Sequence, residues 1–145
     1  MSINIYTDGA CSSNPGVGGW GVVILKNNEN PIYLNGGQLQ TTNNRMELIA
    51  TIKALTYFNN PTNISLFTDS KYVKDGIKSW IIKWKKNGWK TSTKKPVKNK
   101  YLWLKLDRQI QRHTTINWHW IKGHIGHKYN EYADYLAQKF IKEHI

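Results

Sequence analysis

Four of the nine acidic side chains in this 145-residue chain stand next to places where ordered elements are expected to begin or end. Asp8 follows a short apolar segment, and Asp69 follows a second one. Glu47 and Asp134 fall near the starts of two predicted helices. Taken singly, each acid has an ordinary explanation as a cap or a surface charge. Glu47 in particular is well placed to interact favourably with the positive end of a helix dipole.

Together the four acids predict a metal site. Functional groups of open α/β sheets gather beyond the carboxyl ends of the strands, so Asp8 and Asp69 should stand side by side if their strands are adjacent and parallel. Two carboxylates held close together repel, and one stays protonated unless a cation neutralises the pair. A hard divalent ion with oxygen ligands, Mg²⁺ or Mn²⁺, is the natural partner.

The positive charge of the chain is concentrated in one quarter of its length. The net charge is +12, and residues 71–105 carry twelve lysines and one acid, Asp75, for a net charge of +11. Trp80, Trp84 and Trp89 lie in the same segment. Lysines neutralise phosphates and indoles offer flat apolar faces, so this combination predicts contact with nucleic acid. The alternative is a solvated helix face whose tryptophans belong to the core.

The elements that position these residues can be read from the periodicity of apolar side chains. Gly16, Gly18 and Gly21 have the spacing of a nucleotide-binding loop. That loop requires a helix directly after it, and a strand is predicted here instead, so we interpret these glycines as part of a hairpin. Three strands come first, with short connections, and later strands alternate with helices. This order predicts an α/β fold with a five-stranded mixed sheet flanked by helices. The expected strands are 3–7, 20–26, 31–38, 64–68 and 115–121, with a turn at 11–19, and the expected helices are 43–58, 71–87, 100–112 and 129–142.

Length and composition favour one globular domain over residues 1–145. The single cysteine, Cys11, excludes an internal disulfide. The sequence contains no secretory leader pattern and no apolar run long enough to cross a membrane. We therefore expect a cytoplasmic protein, and nothing in the sequence requires more than a monomer.

Several motifs occur in order along the chain. They are Tyr6-Thr7-Asp8-Gly9-Ala10-Cys11 with Asn14-Pro15-Gly16, Thr41-Thr42-Asn43-Asn44-Arg45-Met46-Glu47-Leu48, Thr68-Asp69-Ser70, residues 84–98, and Lys122-Gly123-His124-Ile125-Gly126-His127 leading to Asn130-Glu131 and Asp134. With these motifs the chain resembles bacterial type 1 ribonuclease H over essentially its whole length. The resemblance implies a ribonuclease H-like fold and an endonuclease that hydrolyses the RNA strand of an RNA–DNA hybrid, leaving 5′-phosphate and 3′-hydroxyl ends.

The resemblance also implies roles for individual residues. Two divalent ions, Mg²⁺ or Mn²⁺, would be bound by Asp8, Glu47, Asp69 and Asp134. His124, in a glycine-flanked loop, would shuttle a proton or assist product release. The implied substrate contacts are Cys11, Asn14, Asn43 and Asn44 in the hybrid minor groove, Thr42, Asn99 and Gln40 at a DNA-strand phosphate, and Trp80, Trp84, Lys85, Lys86, Trp89 and Lys90 in a basic protrusion at about 80–98.

Gln40 departs from the family pattern, because relatives often carry an arginine at this position of the phosphate pocket. A neutral amide gives a weaker contact to phosphate than a guanidinium does. We therefore expect a weaker hold on the DNA strand and unchanged chemistry.

Two other functions remain open from the sequence. One is a module that binds hybrids without cutting them, and the complete set of four carboxylates argues against it. The other is a different nuclease of the same fold, such as a resolvase or transposase core. Those enzymes share an acidic cluster but lack a Lys/Trp protrusion of this form.

Overall fold

One five-stranded sheet forms the centre of the molecule, in the strand order β3-β2-β1-β4-β5. The computed structural model describes residues 3–122 and 127–145. The first three strands pair antiparallel, and the last two run parallel to β1. The predicted mixed sheet is therefore confirmed. The strands are β1 Ile3–Cys11, β2 Gly16–Lys26, β3 Ile32–Thr41, β4 Asn63–Thr68 and β5 Thr115–Trp120.

Helices cover both faces of the sheet. They are α1 Asn43–Thr56, α2 Lys71–Asp75, α3 Ile81–Lys86, α4 Lys100–Arg112 and α5 Lys128–His144. A π-helical turn, Gly76–Trp80, joins α2 to α3, so the segment predicted at 71–87 is helical but not uniform. A side chain at Gly76 would collide with the buried ring of Trp103. None of the described helices has the length and apolarity needed to cross a membrane.

Alternation along the central strands divides the interior into two layers. Ile5 of β1 and Ile24 of β2 are paired and fully buried in the main core, which α1 and α4 cover. The next pair, Tyr6 and Val23, faces the other way, and Val23 packs against Ala133 of α5. Since successive residues of a strand point to opposite faces, α5 lies across the sheet from α1 and α4.

The turn predicted at 11–19 is wrong at both ends. β1 continues through Cys11, β2 begins at Gly16, and Gly18 and Gly19 pair with Cys11 and Ala10. Glycines have no side chains to show the alternation from which a strand is recognised. The fold requires a glycine at position 19, because a Cβ there would collide with the backbone of α5.

Candidate metal-binding active site

Asp8 and Asp69 come together where the pairing between β1 and β4 ends. The two strands are adjacent and parallel, which is the condition under which the sequence places the two acids side by side, and their last paired residues are Tyr6 and Phe67. Asp69 directly follows β4, whereas Asp8 lies inside β1 and pairs with Gly21 of β2. The expectation that Asp8 ends its strand is therefore wrong. Its carboxylate still meets Asp69, because only the β1–β4 pairing stops before it.

Glu47 reaches the same point from α1. Its Oε1 accepts a hydrogen bond of 2.6 Å from the backbone N–H of Gly9, which also lies 2.9 Å from Asp8 Oδ1. Glu47 stands in the second turn of α1, and the residue that caps this helix is Thr42. The explanation of Glu47 as a capping residue therefore fails. A Cβ at Gly9 would lie 2.5 Å from the backbone of Met46 and Glu47, so α1 can approach β1 this closely only at a glycine.

Three carboxylates form a compact cluster. One oxygen from each of Asp8, Glu47 and Asp69 lies within 4.8 Å of the others. Asp8 is 3% exposed and Glu47 6% exposed, while Asp69 is partly exposed at the edge of a cavity of about 360 Å³. Clustered carboxylate oxygens are the ligand set that Mg²⁺ and Mn²⁺ prefer, so these residues fit a hard divalent cation.

The electrostatics of the cluster agree with this fit. Burial raises the pKa of Asp8, and the negative charge of Glu47 and a hydrogen bond between the two side chains raise it further. Burial also raises the pKa of Glu47, although its hydrogen bonds with Asp8 and the Gly9 N–H act in the opposite direction. A hydrogen bond between two carboxyl groups requires that one of them carry a proton. A divalent cation would take over the role of this proton.

The other two predicted catalytic residues, Asp134 and His124, are not members of this compact cluster of described residues. Asp134 lies in the second turn of α5 and outside the compact cluster, but its negative charge contributes to the raised pKa of Asp8. It is therefore near enough to act electrostatically on the site. His124 lies outside the described residues.

Ser70 is a site residue that sequence reasoning missed. Its hydroxyl caps α2 by accepting the backbone N–H of Val73 at 3.1 Å. The same side chain is hydrogen-bonded to Glu47 and lowers the pKa of that carboxyl group. A serine between Asp69 and a helix start is a recognisable cap in the sequence. Its second contact depends on α1 lying alongside, which local sequence does not reveal.

The predicted minor-groove residues gather at the start of α1. Asn14 Oδ1 accepts the backbone N–H of Asn43 at 2.8 Å, which joins the turn after β1 to the helix. Asn43 and Asn44 line the same cavity as the three carboxylates, and both are exposed. The Cys11 thiol donates to the Ser13 carbonyl at 2.8 Å, within the same turn.

Two of the three residues predicted at the DNA-strand phosphate directly precede neighbouring helices. Thr42 precedes α1, and its hydroxyl accepts the N–H of Arg45 at 3.3 Å. Asn99 precedes α4 with a positive φ of 58°, and its amide nitrogen lies 3.2 Å from the hydroxyl of Tyr72. Gln40 is exposed near the end of β3.

The protrusion combines a packed indole row with exposed lysines. Trp84 lies between Trp80 and Trp89, with ring centroids 5.9 and 6.0 Å apart, and all three rings are partly buried against the main core. The alternative interpretation, that these tryptophans belong to the core, therefore holds for the buried part of each ring. Lys86 and Lys90 are exposed, whereas Lys85 forms an ion pair of 2.9 Å with Asp107 of α4.

Comparison with known proteins agrees with this geometry. A family model described as RNase H matches residues 1–142. A ribonuclease H of Brucella anthropi is 58% identical over 137 residues, covering 94% of this chain and 88% of the relative. One from Marinobacter nauticus is 55% identical over 139 residues, covering 96% and 93%.

Solved structures show the same fold. The crystal structure of LC9-RNase H1, described as a type 1 RNase H with the type 2 active-site motif, superposes with a TM-score of 0.84 at 28% identity, covering 99% of this chain and 73% of that one. LC11-RNase H1 in complex with an RNA/DNA hybrid gives a TM-score of 0.75 at 25% identity, covering 98% of each chain. With a family match over nearly its whole length and relatives at 55–58% identity, the chain belongs to the ribonuclease H family.

Proposed function

We propose that this chain is a metal-dependent endonuclease that hydrolyses the RNA strand of RNA–DNA hybrids. In this proposal two divalent ions, Mg²⁺ in the first instance, are held by Asp8, Glu47, Asp69 and Asp134. The observation that carries it is the convergence of three carboxylates within 4.8 Å in a chain of the ribonuclease H family. The hybrid bound to LC11-RNase H1 supports the class of substrate. All these side chains come from one domain, residues 1–145, and one copy supplies them.

The chemistry divides between the bound ions and the residues that hold them. When bound by these carboxylates, paired divalent ions would supply an activated water and charge stabilisation for the leaving 3′ oxygen of the scissile phosphate. The chain's own part is orientation: the Gly9 N–H and the Ser70 hydroxyl fix the carboxylate of Glu47. Asp8 is held by its place inside β1. The proposed products end in a 5′-phosphate and a 3′-hydroxyl. For His124 we keep the proposed role in proton transfer or product release.

Selection of RNA is assigned to the asparagines beside the carboxylates. Discrimination between RNA and DNA requires a contact to the 2′-hydroxyl, which can both donate and accept a hydrogen bond. The side-chain oxygen of Asn14 already accepts the backbone N–H of Asn43, whereas the side-chain nitrogen of Asn14 is left as a donor for substrate. Asn43 and Asn44 offer exposed amides next to the site, and Cys11 lies at the turn that carries Asn14.

The DNA strand is assigned to the protrusion and to the residues that directly precede α1 and α4. Thr42 and Asn99 would hold one phosphate, with Gln40 adding a neutral contact. The exposed lysines and indole edges at residues 80–98 would follow the strand beyond it. Such contacts read backbone charge and shape, so we propose little sequence preference.

A hybrid of labelled RNA and labelled DNA tests the proposed function. We expect RNA fragments in Mg²⁺, an intact DNA strand, and no cleavage in excess chelator. Single-stranded RNA and double-stranded DNA of the same sequence serve as controls and should survive. A hybrid left intact in both Mg²⁺ and Mn²⁺ would contradict the enzyme, and hybrid bound but uncut would favour the binding module.

The exposed lysines of the protrusion should set the salt dependence of substrate binding. We expect Lys86→Gln combined with Lys90→Gln to raise KM about 5- to 10-fold at low salt with little change in kcat. Each phosphate that is no longer neutralised by a lysine should reduce the slope of log KM against log salt by about 0.7 to 0.9. Steady-state kinetics between low and moderate salt measure this slope.

The matched control is Lys139→Gln with Lys142→Gln, which removes two exposed charges from α5. This pair should leave the slope unchanged. Equal slopes for the protrusion variant and the wild type would assign Lys86 and Lys90 to solubility alone. Lys85 is left in place, because its pairing with Asp107 also ties the protrusion to α4.

A further inference from the structure

A second basic surface lies outside the protrusion, in the groove between α1 and α4. The groove has a volume of about 440 Å³. Four of its lining side chains are cations and none is an acid. Arg45 and Lys53 come from α1, and Lys105 and Arg108 come from α4. A concentration of positive charge without carboxylates indicates a polyanionic ligand.

The groove adjoins the proposed DNA-strand phosphate pocket, because both helices begin at that pocket and run in the same direction. Arg45 and Tyr101, each in the first turn of its helix, line the same groove. At the far end, Arg112 of α4 donates to the carbonyls of Leu55 and Phe58 at the end of α1, at 2.9 and 2.7 Å. The helices therefore run in the same direction. The groove begins beside the residues that precede them, Thr42 and Asn99, and leads away.

Tyr101 adds an aromatic surface to the charge. Its side chain is 66% exposed, which is high for a large apolar ring. The Lys105 ammonium group stands 4.5 Å from the centre of the ring. Exposed aromatic rings among cations are the combination that binds single-stranded nucleic acid, because bases stack on the rings while lysines and arginines meet the backbone.

We propose that this groove binds single-stranded DNA that continues from the DNA strand of a hybrid. The inference rests on the proposed function, which places a phosphate of that strand at Thr42 and Asn99. The exposed ring of Tyr101 can stack only on a base that is not already paired and stacked in a duplex, so the groove suits a single strand. An acidic peptide would satisfy the four cations but would make no use of the stacking surface of Tyr101. Hybrids flanked by single-stranded DNA would then be preferred over blunt hybrids.

Two substrates with the same hybrid test this preference, one blunt and one with single-stranded DNA extensions of about eight nucleotides. We expect the extensions to lower KM about 5-fold at low salt, with a salt slope steeper by roughly 0.7 for each additional phosphate that the groove neutralises. A triple variant, Tyr101→Ala with Lys105→Gln and Arg108→Gln, should remove the difference. Its cleavage of the blunt hybrid should equal that of the wild type, and the α5 pair Lys139→Gln with Lys142→Gln should keep the preference.

Fluorescence anisotropy with a labelled single-stranded oligonucleotide in chelator provides a readout independent of cutting. The wild type should bind about 5-fold more tightly than the triple variant, and polyglutamate should compete poorly. Equal KM values for the two substrates, or a preference that survives in the triple variant, would overturn the proposal. So would strong displacement by polyglutamate, which would identify an acidic-peptide site. If the wild type cuts neither substrate, the proposed function is contradicted, and the binding assay still decides whether the groove binds single-stranded DNA.

Discussion

Replacing Asp8 by asparagine should reduce hybrid cleavage about 10³-fold or more and at the same time stabilise the chelated protein at neutral pH. The loss follows from removing a buried carboxylate of the proposed metal site. The gain in stability follows from removing a carboxyl group whose ionised form is disfavoured by burial and by the neighbouring acids. An asparagine amide keeps the size of the side chain and its oxygen beside the Gly9 N–H, but it cannot ionise.

The direction of the stability effect follows from the raised pKa of Asp8. In the unfolded chain this carboxyl group releases its proton near its ordinary pKa of ~4, whereas the folded chain retains the proton to much higher pH. Below ~pH 4 both states are protonated and the group costs nothing. As the pH rises above that value, unfolding releases a proton and the free energy of unfolding falls, by at most ~1.4 kcal/mol per pH unit. We expect Asp8→Asn to regain about 1–3 kcal/mol at pH 7.5.

Denaturation at pH 5 and pH 8 in excess chelator measures this effect. The wild type should lose stability between the two pH values, and Asp8→Asn should lose less. Asp69→Asn tests the neighbouring carboxylate of the proposed metal site, since this change should abolish cutting and leave hybrid binding intact. Glu143→Gln, a change to an exposed acid of α5, is the matched control and should alter neither activity nor the pH dependence.

Two outcomes would count against this account. Near-normal turnover by Asp69→Asn would mean that the carboxylate cluster is not the metal site. A stability of Asp8→Asn that follows the wild type at every pH would mean that Asp8 is ionised in the folded, chelated protein without cost.

The sequence predicted those parts of the fold and the site that depend on local pattern. Asp69 stands where expected because β4 has ordinary alternating side chains, and its end can be read from them. The end of β1 was misplaced because the strand that pairs with its second half is built from glycines at 18, 19 and 21. The parallel pairing of β1 with β4 was only the condition under which the sequence placed Asp8 beside Asp69, and the structure meets that condition.

The exact surroundings of Glu47 could not be predicted in the same way. Its sequence neighbourhood indicates a helix near its start, where an acid usually serves the helix dipole. Whether the side chain faces solvent or the sheet depends on how closely α1 approaches β1. That distance is set by Gly9, 38 positions earlier in the chain. Tertiary contacts of this kind assign a carboxylate to a metal site or to a cap, and a single sequence contains no local trace of them.

The second large expected effect comes from the close packing of α1 against β1 at Gly9. Gly9→Ala should destabilise the fold by about 2–3 kcal/mol and reduce cleavage roughly 10²-fold. The new Cβ would lie 2.5 Å from the backbone of Met46 and Glu47, so the strand and the helix must move apart. Because backbone atoms cannot rotate away as a side chain can, Glu47 would shift with its helix and weaken its hydrogen bond with the Gly9 N–H.

Chemical denaturation and the Mg²⁺ concentration that gives half-maximal activity together separate this displacement from a general loss of stability. The required Mg²⁺ concentration should rise in Gly9→Ala even at temperatures where the variant is fully folded, since a ligand has moved. Gly88→Ala is the stability control. A Cβ there would meet nothing within 4 Å, although the backbone has a φ of +65°, so this change should cost only about 1 kcal/mol. If Gly9→Ala is no worse than Gly88→Ala and needs no more Mg²⁺, then close approach of α1 to β1 does not position Glu47. The carboxylate would in that case be held by Ser70 and the ions alone.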